Sequence, residues 1–168
     1  MLFRFVMRLS AGDAIPVEGA QINVLHPSAT WDSGNDINNQ SLVLHVAWDD
    51  FSLLLPGDVE EKAEQMLVAS ALQPVSVLKV PHHGSATSSS EPFLEKAAPD
   101  VAVVSVRPVD GRGSFMPARI LERFTSRNIP LFRTDWHGGI RIRSYDGNLL
   151  VNTARGNRGY TLEAVASE

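Results

Sequence analysis

The sequence predicts an α/β fold in which helices cover the faces of a β-sheet. Two observations support this prediction. Up to residue 55, apolar segments show the period-2 pattern of strands, and from residue 59 onward helical segments alternate with short apolar strands. The 168 residues contain no internal repeat and no linker, so we predict a single domain over residues 1–168.

The first strands are predicted from short apolar segments. Residues 1–9 are apolar apart from two arginines. We expect a strand there rather than a signal peptide, because no cleavage site follows. Residues 20–26 are predicted as the next strand, and residues 27–40 as a loop rich in Asn, Asp, Ser and Gly.

The clearest pattern lies in residues 41–55. Residues 41–48 alternate as a half-buried strand does, Asp49-Asp50 supplies a turn, and residues 51–55 return as a buried strand. The face of the first strand expected to be buried carries Leu42, Leu44, Val46 and Trp48.

A helix is predicted over residues 59–72, after Pro56-Gly57 ends the strand. Asp58 stands at the expected N-cap, and Glu61 stands three residues later as its capping-box partner. The predicted apolar stripe of this helix contains Val59, Ala63, Met66, Leu67 and Ser70.

The rest of the chain continues the alternation. Helices are predicted over residues 91–98 and 117–128, each with a proline in or before its first turn. Strands are predicted over residues 75–80, 101–106, 130–134, 139–145 and 149–154, with a hairpin turn at Asp146-Gly147. Residues 155–168 have no clear periodicity, and we expect a disordered tail there.

Composition bounds the class of protein. Apolar residues make up 43% and charged residues 20%, there is no cysteine, and no apolar run is long enough to span a membrane. Residues 1–100 carry a net charge of −8, whereas residues 101–168 carry +4, with ten arginines and no lysine. Such an arginine-rich half suits phosphate binding, and so DNA, but it is equally typical of a solvated surface.

Two loops carry the candidate functional residues. Gly57-Asp58 follows one predicted buried strand, and His82-His83-Gly84-Ser85 follows the next. Because functional groups gather at the carboxyl ends of strands in α/β folds, a carboxylate and an imidazole could meet there as metal ligands. Alternatively Asp58 is only a helix cap, the histidine pair binds nothing, and Asn39 serves turn chemistry. His26, His45 and His137 are interpreted as structural or loop residues.

Longer segments resemble a known family. NNQSLVLHV, FSLLLPGDVEEKAEQML and VSVLKVPHHGSATSSSEPFLEKAAPDVAVVSV are similar to the metallo-β-lactamase-like domain of ComEC-type DNA-uptake proteins. The resemblance covers roughly residues 15–160, and the long HHGS segment is its most specific part. It implies an αββα sandwich, of which this chain resembles the C-terminal half.

The resemblance also implies an activity, which is metal-dependent phosphodiester hydrolysis with Zn²⁺ or Mn²⁺. Asp58 matches the bridging carboxylate of the family, and His82 or His83 matches its late histidine ligand, with His83 favoured. Asn39, Gly57, Gly84 and Ser85 are the expected lining residues.

The chain departs from the family pattern in three places. It contains neither His-x-His-x-Asp-His nor Asp-x-Gly-Gln-Gly-Asp, and no histidine stands near residues 113–116, where Gly-His-Pro is expected. We therefore expect weak metal binding and no activity from this chain alone, and the alternative is a non-catalytic DNA-binding or self-assembling module.

Half of a sandwich should also expose an apolar sheet face, to be covered by a second copy or a companion chain. The sequence leaves the location open: a stand-alone protein would be cytoplasmic, and part of a ComEC-type protein would be extracytoplasmic.

Overall fold

The computed structural model describes residues 7–32, 34–70, 72–107, 116–156 and 159–162, and these form two sheets and four α-helices. The larger sheet contains β1 (Ala14–Val17), β2 (Ala20–His26), β3 (Val43–Trp48), β4 (Phe51–Leu55), β5 (Val77–Lys79), β6 (Val101–Val104) and β7 (Leu131–Arg133). The smaller sheet contains β8 (Ile140–Tyr145), β9 (Asn148–Thr153) and β10 (Gly159–Leu162). The helices are α1 (Glu61–Ala69), α2 (Glu91–Ala97), α3 (Ala118–Thr125) and α4 (Thr134–His137).

The larger sheet changes its pairing at β4. Strands β1 to β4 pair antiparallel in chain order, whereas β4 to β7 pair parallel. The crossovers between parallel strands run through α1, α2 and α3. Because such crossovers are right-handed and the strand order never reverses, all three helices lie on one face of the sheet.

Each face of the parallel part is buried. On the helix face, Leu54, Leu78 and Ala102 pack against Phe93 and Phe124 of the helices. On the opposite face the small sheet packs against the large one, in a second cluster formed by Phe51, Val77, Val101, Phe132, Leu149 and Val151. The described residues therefore form three layers, helix, sheet and sheet, and the predicted α/β class is confirmed. That the chain is only half of an αββα sandwich remains a prediction.

The antiparallel part turns its apolar side away from the helices. The register places Ile22, Val46 and Leu53 side by side, and Leu53 already contacts the small sheet. The predicted alternation of β3 is therefore observed, but the predicted burial is wrong. Trp48 is 38% exposed, and the fully buried residue of the strand is Val43, which points to the helices. Leu42 precedes the strand and is also exposed.

Helix α1 differs from its prediction at its start and in its stripe. It begins at Glu61, and no side chain at the adjoining N-cap position, Glu60, forms a capping bond, so the predicted capping box of Asp58 and Glu61 is wrong. Met66 of the predicted stripe is 47% exposed, and the buried polar residue Glu64 faces inward instead. Glu64 faces inward because its carboxylate accepts hydrogen bonds from the backbone N–H groups of Ser89 and Ser90.

The other predicted elements are confirmed only in part. The strand at residues 20–26 and both Asp-containing hairpin turns are confirmed. The predicted opening strand falls mainly on residues 1–6, which lie outside the described residues. His137 ends the short helix α4 rather than lying in a hairpin loop. Residues 159–162, within the predicted tail, pair with β9 as a strand. In the part of the chain that the structure describes, no helix is long and apolar enough to cross a membrane.

Candidate functional site

The candidate residues meet at the carboxyl ends of β4 and β5. These strands are parallel neighbours, so the loops that leave them emerge at the same edge of the sheet. The Nε2 atom of His83 lies 3.8 Å from the Oδ1 atom of Asp58, and both side chains are about half exposed. The structure therefore brings together the carboxylate and the imidazole that the sequence singled out.

Gly57 allows the two loops to approach each other. Its φ of +63° is unfavourable for other residues, and a Cβ there would lie 2.8 Å from the Cβ of Ser41. Its carbonyl accepts a hydrogen bond from the backbone N–H of His82 at 3.2 Å. The Ser41 hydroxyl accepts a bond from the backbone N–H of Asp58 at 3.1 Å. The backbone beside Asp58 is thus fixed from two sides.

Asn39 caps helix α1 from a distance in the sequence. Its side chain is buried, and its Oδ1 accepts hydrogen bonds from the backbone N–H groups of Glu60 at 2.9 Å and Ala63 at 3.1 Å. The N–H group of Ala63 is one that a local N-cap side chain would otherwise satisfy, and that of Glu60 is the one that the third helical residue of a capping box would satisfy. Because Asn39 serves as the cap, the carboxylate of Asp58 is not consumed by the helix and can face His83.

The ring of His83 is held in an orientation that suits a metal ligand. Its Nδ1 lies 2.8 Å from the carbonyl oxygen of Ser105, which can only accept a hydrogen bond. Nδ1 therefore carries a proton, and Nε2 is the ring nitrogen that faces Asp58. A backbone carbonyl on the far ring nitrogen is the usual support of a metal-binding histidine.

His82 faces a different carboxylate. Its Nδ1 lies 3.2 Å from Oε1 of Glu60, without the alignment of a hydrogen bond, and that same oxygen accepts a bond from the Thr87 hydroxyl at 2.8 Å. Both histidines have left-handed backbone conformations, with φ of 46° and 54°. Two consecutive residues with left-handed φ and ψ angles are strained, and contacts with the surrounding structure must compensate for this strain.

The loop that carries both histidines is held by hydrogen bonds to two helix side chains, Glu64 and Arg123. The buried carboxylate of Glu64 accepts hydrogen bonds from the backbone N–H groups of Ser89 and Ser90, the latter at 2.8 Å. Arg123 donates to the carbonyl oxygens of Ser88 and Ser89. Burial raises the pKa of Glu64, against the lowering effect of these hydrogen bonds and of Arg123.

The remaining predicted lining residues have structural contacts. Gly84 has a φ of +79°, and a Cβ there would meet Met116 at 3.0 Å. The Ser85 hydroxyl lies 3.0 Å from that of Thr87, within the loop. Gly84 and Ser85 therefore shape the loop that carries His83.

Sequence reasoning missed Glu60 and Lys79. Lys79 ends β5 beside the site; burial lowers the pKa of its ammonium group, and the nearby charge of Asp58 raises it. Its position at the end of a buried strand could have indicated it, since a similar argument selected Asp58. Glu60 had no comparable signal, because a glutamate at a helix start is common.

The described residues fit part of a metal site. Asp58 and His83 offer one carboxylate and one imidazole, a donor set that suits Zn²⁺ or Mn²⁺. Within the ranges described above, no group of three or more His, Asp or Glu side chains could surround an ion. Residues 113–115, where the resemblance places a further motif, lie outside the described residues.

Comparison with known proteins gives several relatives and no matching family model. The chain is 32% identical over 140 residues to ComE operon protein 3 of Bacillus subtilis, which covers 82% of this chain. It is 36% identical over 121 residues to Recombination protein 2 of Haemophilus influenzae, covering 70% of it. It is 33% identical over 127 residues to Competence protein ComA of Neisseria gonorrhoeae, covering 74% of it.

The matched region is a small part of each relative. It spans 18%, 15% and 18% of their respective lengths. Among solved structures, the chain is similar to a crystallised protein of Parabacteroides distasonis described as a metal-dependent hydrolase. That likeness has a TM-score of 0.48 and 13% identity, and it covers 76% of this chain and 56% of the other.

Proposed function

We propose, starting from the confirmed kinship of this chain with ComEC-type DNA-uptake proteins, that its Asp58–His83 pair is part of a divalent-metal site for phosphodiester hydrolysis. The chain is a ComEC-like domain, and we propose that it is of the metallo-β-lactamase type. The observation that carries the proposal is the 3.8 Å approach of the carboxylate to an imidazole whose other nitrogen is bound to a carbonyl. DNA is the proposed substrate class.

Each residue of the pair has a role in this proposal. Oδ1 of Asp58 and Nε2 of His83 would hold Zn²⁺ or Mn²⁺, and the Ser105 carbonyl keeps the imidazole proton on Nδ1. The metal, when bound, would supply Lewis acidity and an activated water. Lys79, beside Asp58, adds a positive charge to the site.

Two protein ligands are fewer than a stable zinc site requires, which is at least three. We therefore propose that this chain alone binds metal weakly and does not hydrolyse phosphodiesters. In this proposal, the remaining ligands come from polypeptide outside the described residues.

Isothermal titration of the full chain with Zn²⁺ tests the ligand assignment. We expect the wild type to bind one ion weakly. Its affinity for Zn²⁺ should fall at least tenfold in Asp58→Asn and in His83→Asn, and it should be unchanged in the matched variant His82→Asn. Asparagine is chosen because it tolerates the left-handed backbone of both histidines. Binding that survives in His83→Asn but not in His82→Asn would reverse the assignment, and an absence of binding in the wild type would refute the site.

Activity is tested separately with Mn²⁺ and bis(p-nitrophenyl) phosphate. We expect no turnover above that of free Mn²⁺. Turnover that depends on Asp58 would show that the ligand set is complete in this chain, contrary to the proposal.

A second candidate, self-assembly, is favoured by one observation. The apolar side of the antiparallel strands points away from the helices and is half exposed, and it continues directly into the face on which the small sheet already packs. We define the open face by Ile15, Val17, Ile22, Leu44, Val46 and Trp48. A second copy of this chain could extend the same sheet-on-sheet packing over it.

Light scattering during size-exclusion chromatography tests this candidate. We expect the wild type to form dimers that Val46→Lys converts to monomers. Gln21→Lys, an exposed position of the adjacent strand on the opposite side, is the matched control and should leave the dimer unchanged. A monodisperse wild-type monomer would eliminate self-assembly, as would a Gln21→Lys effect as large as that of Val46→Lys.

A further inference from the structure

The outward side of the small sheet carries two arginines and a tyrosine. Alternation along β8 directs Ile140 and Ile142 into the core between the sheets, so Arg141, Arg143 and Tyr145 point outward. Pairing with β9 and β10 extends this outward side. We call it the arginine face, and it consists of Arg141, Arg143, Tyr145, Asn148, Leu150, Asn152 and Thr161.

No carboxylate stands opposite the two arginines. The residue across from Arg141 is Asn152, and the one across from Arg143 is Leu150. Among the residues that the structure describes, neither arginine takes part in an ion pair. By contrast, Arg133 is buried against Asp135. The positive charge of Arg141 and Arg143 is therefore available to an external anion.

Spacing and chemistry point to a chain of phosphates. Two positions on one side of a strand lie about 6.8 Å apart, twice the rise of about 3.4 Å per residue. Successive phosphates of an extended single strand can match such a spacing, and each guanidinium can bind a phosphate through two hydrogen bonds. Tyr145, which is 74% exposed, lies on the same side two residues farther along and presents a ring on which a base can stack.

We infer that the arginine face binds single-stranded nucleic acid through its phosphates, with Tyr145 stacking on one base. The inference rests on the proposed function only in that nucleic acid is the substrate class. The face lies on the layer opposite the helices and shares no residue with the Asp58–His83 pair. A duplex fits less well, because its bases are stacked on one another and leave no face for Tyr145.

Fluorescence anisotropy of a labelled oligo-dT strand with the full chain tests the inference. At low salt we expect binding whose logarithmic salt dependence has a slope near −1.4, for two phosphates at about −0.7 each. The double variant R141Q/R143Q should bind at least tenfold more weakly, with a slope near zero. Y145A should bind about 5- to 150-fold more weakly with an unchanged slope, as loss of one stacked base predicts.

The matched control removes the same two charges elsewhere. R119Q/R127Q changes two arginines of the α3 region, on the helix side, and should bind within twofold of the wild type. Equal losses in both double variants would mean that only net charge matters, and would overturn the inference. So would unchanged binding in R141Q/R143Q, or tighter binding of a duplex of the same length through these residues.

One further measurement separates this inference from the metal proposal. The wild type in the presence of EDTA should bind oligo-dT as it does in the presence of Zn²⁺. Failure of zinc binding with intact oligo-dT binding would refute only the metal site, and the reverse result would refute only the arginine face. Loss of oligo-dT binding in EDTA would place the nucleic acid at the metal site and overturn the inference.

Discussion

The two halves of the large sheet differ in strand pairing and in what covers their faces. The parallel half, β4 to β7, is covered by helices on one side and by the small sheet on the other. The antiparallel half, β1 to β3, carries polar residues such as Asn23 and His45 on the helix side and apolar residues on the open face. Parallel strands normally need cover on both sides, whereas antiparallel strands usually turn their polar side to water. The antiparallel half leaves its apolar side half exposed as well, and we propose that a partner covers that side.

Truncating a leucine in each half should give the largest difference. Leu78 of β5 is fully buried, and Leu78→Ala should lower the free energy of unfolding by about 2–5 kcal/mol through lost contacts and a cavity. Leu44→Ala, on the open face of β3, should lower that of the monomer by less than about 1 kcal/mol. Urea unfolding followed by circular dichroism, at a concentration where the chain is monomeric, measures both. Equal costs would mean that the open face is covered within the monomer.

Removing the buried carboxylate under the histidine loop should have the next largest effect. Glu64→Ala leaves the backbone N–H groups of Ser89 and Ser90 without their acceptor, at about 1–3 kcal/mol. The matched change Glu61→Ala, at an exposed position of the same helix, should cost less than about 0.5 kcal/mol. Thermal unfolding measures the stability of both variants. Similar losses of stability would show that other contacts hold the loop.

The same carboxylate should make stability depend on pH. Burial raises the pKa of Glu64 above its unfolded value of about 4.3, so the folded state favours the protonated form. The contribution of Glu64 to the free energy of unfolding is complete below a pH of about 4.3 and is lost as the pH rises through the pKa of Glu64 in the folded state. Unfolding of Glu64→Gln, measured by urea titration from pH 4 upward, should lack this decline. A variant with the wild-type profile would assign the decline to another group.

The smallest effect is expected at the seam where β4, the strand at which the pairing changes, meets the start of β5. Ser52 and Ser76 exchange hydrogen bonds there, each backbone N–H donating to the other's hydroxyl at 3.1 and 3.0 Å. Ser76→Ala should lower the free energy of unfolding by about 0.5–1.5 kcal/mol. Hydrogen exchange of the Ser52 amide should quicken in this variant, and an unchanged exchange rate would show that the bond does not hold the seam.

Local signals predicted most of the strands and turns. The bounds of β2 follow from its apolar alternation, and both hairpins turn at an aspartate with a left-handed backbone, Asp49 and Asp146, a conformation that aspartate tolerates. The pairing of Asp58 with His83 was also predictable, because both follow strands that are neighbours in the sheet.

Non-local contacts account for the errors. Asp58 had the local features of a helix cap, but the cap is Asn39, which is distant in sequence and reaches the helix through the tertiary fold. Alternation in β3 separated its two sides correctly. It did not reveal which side the helices cover, because Val43 on the other side is apolar too.

The cap supplied by Asn39 has a consequence for how such a domain can change. Because the start of α1 does not depend on Asp58, substitutions at that position should leave the helix intact, so the proposed metal site can be altered without unfolding the scaffold. A carboxylate that also closed the helix could not be exchanged so freely. Selection in the laboratory for new metal specificity could therefore begin at Asp58 while Asn39 is left unchanged.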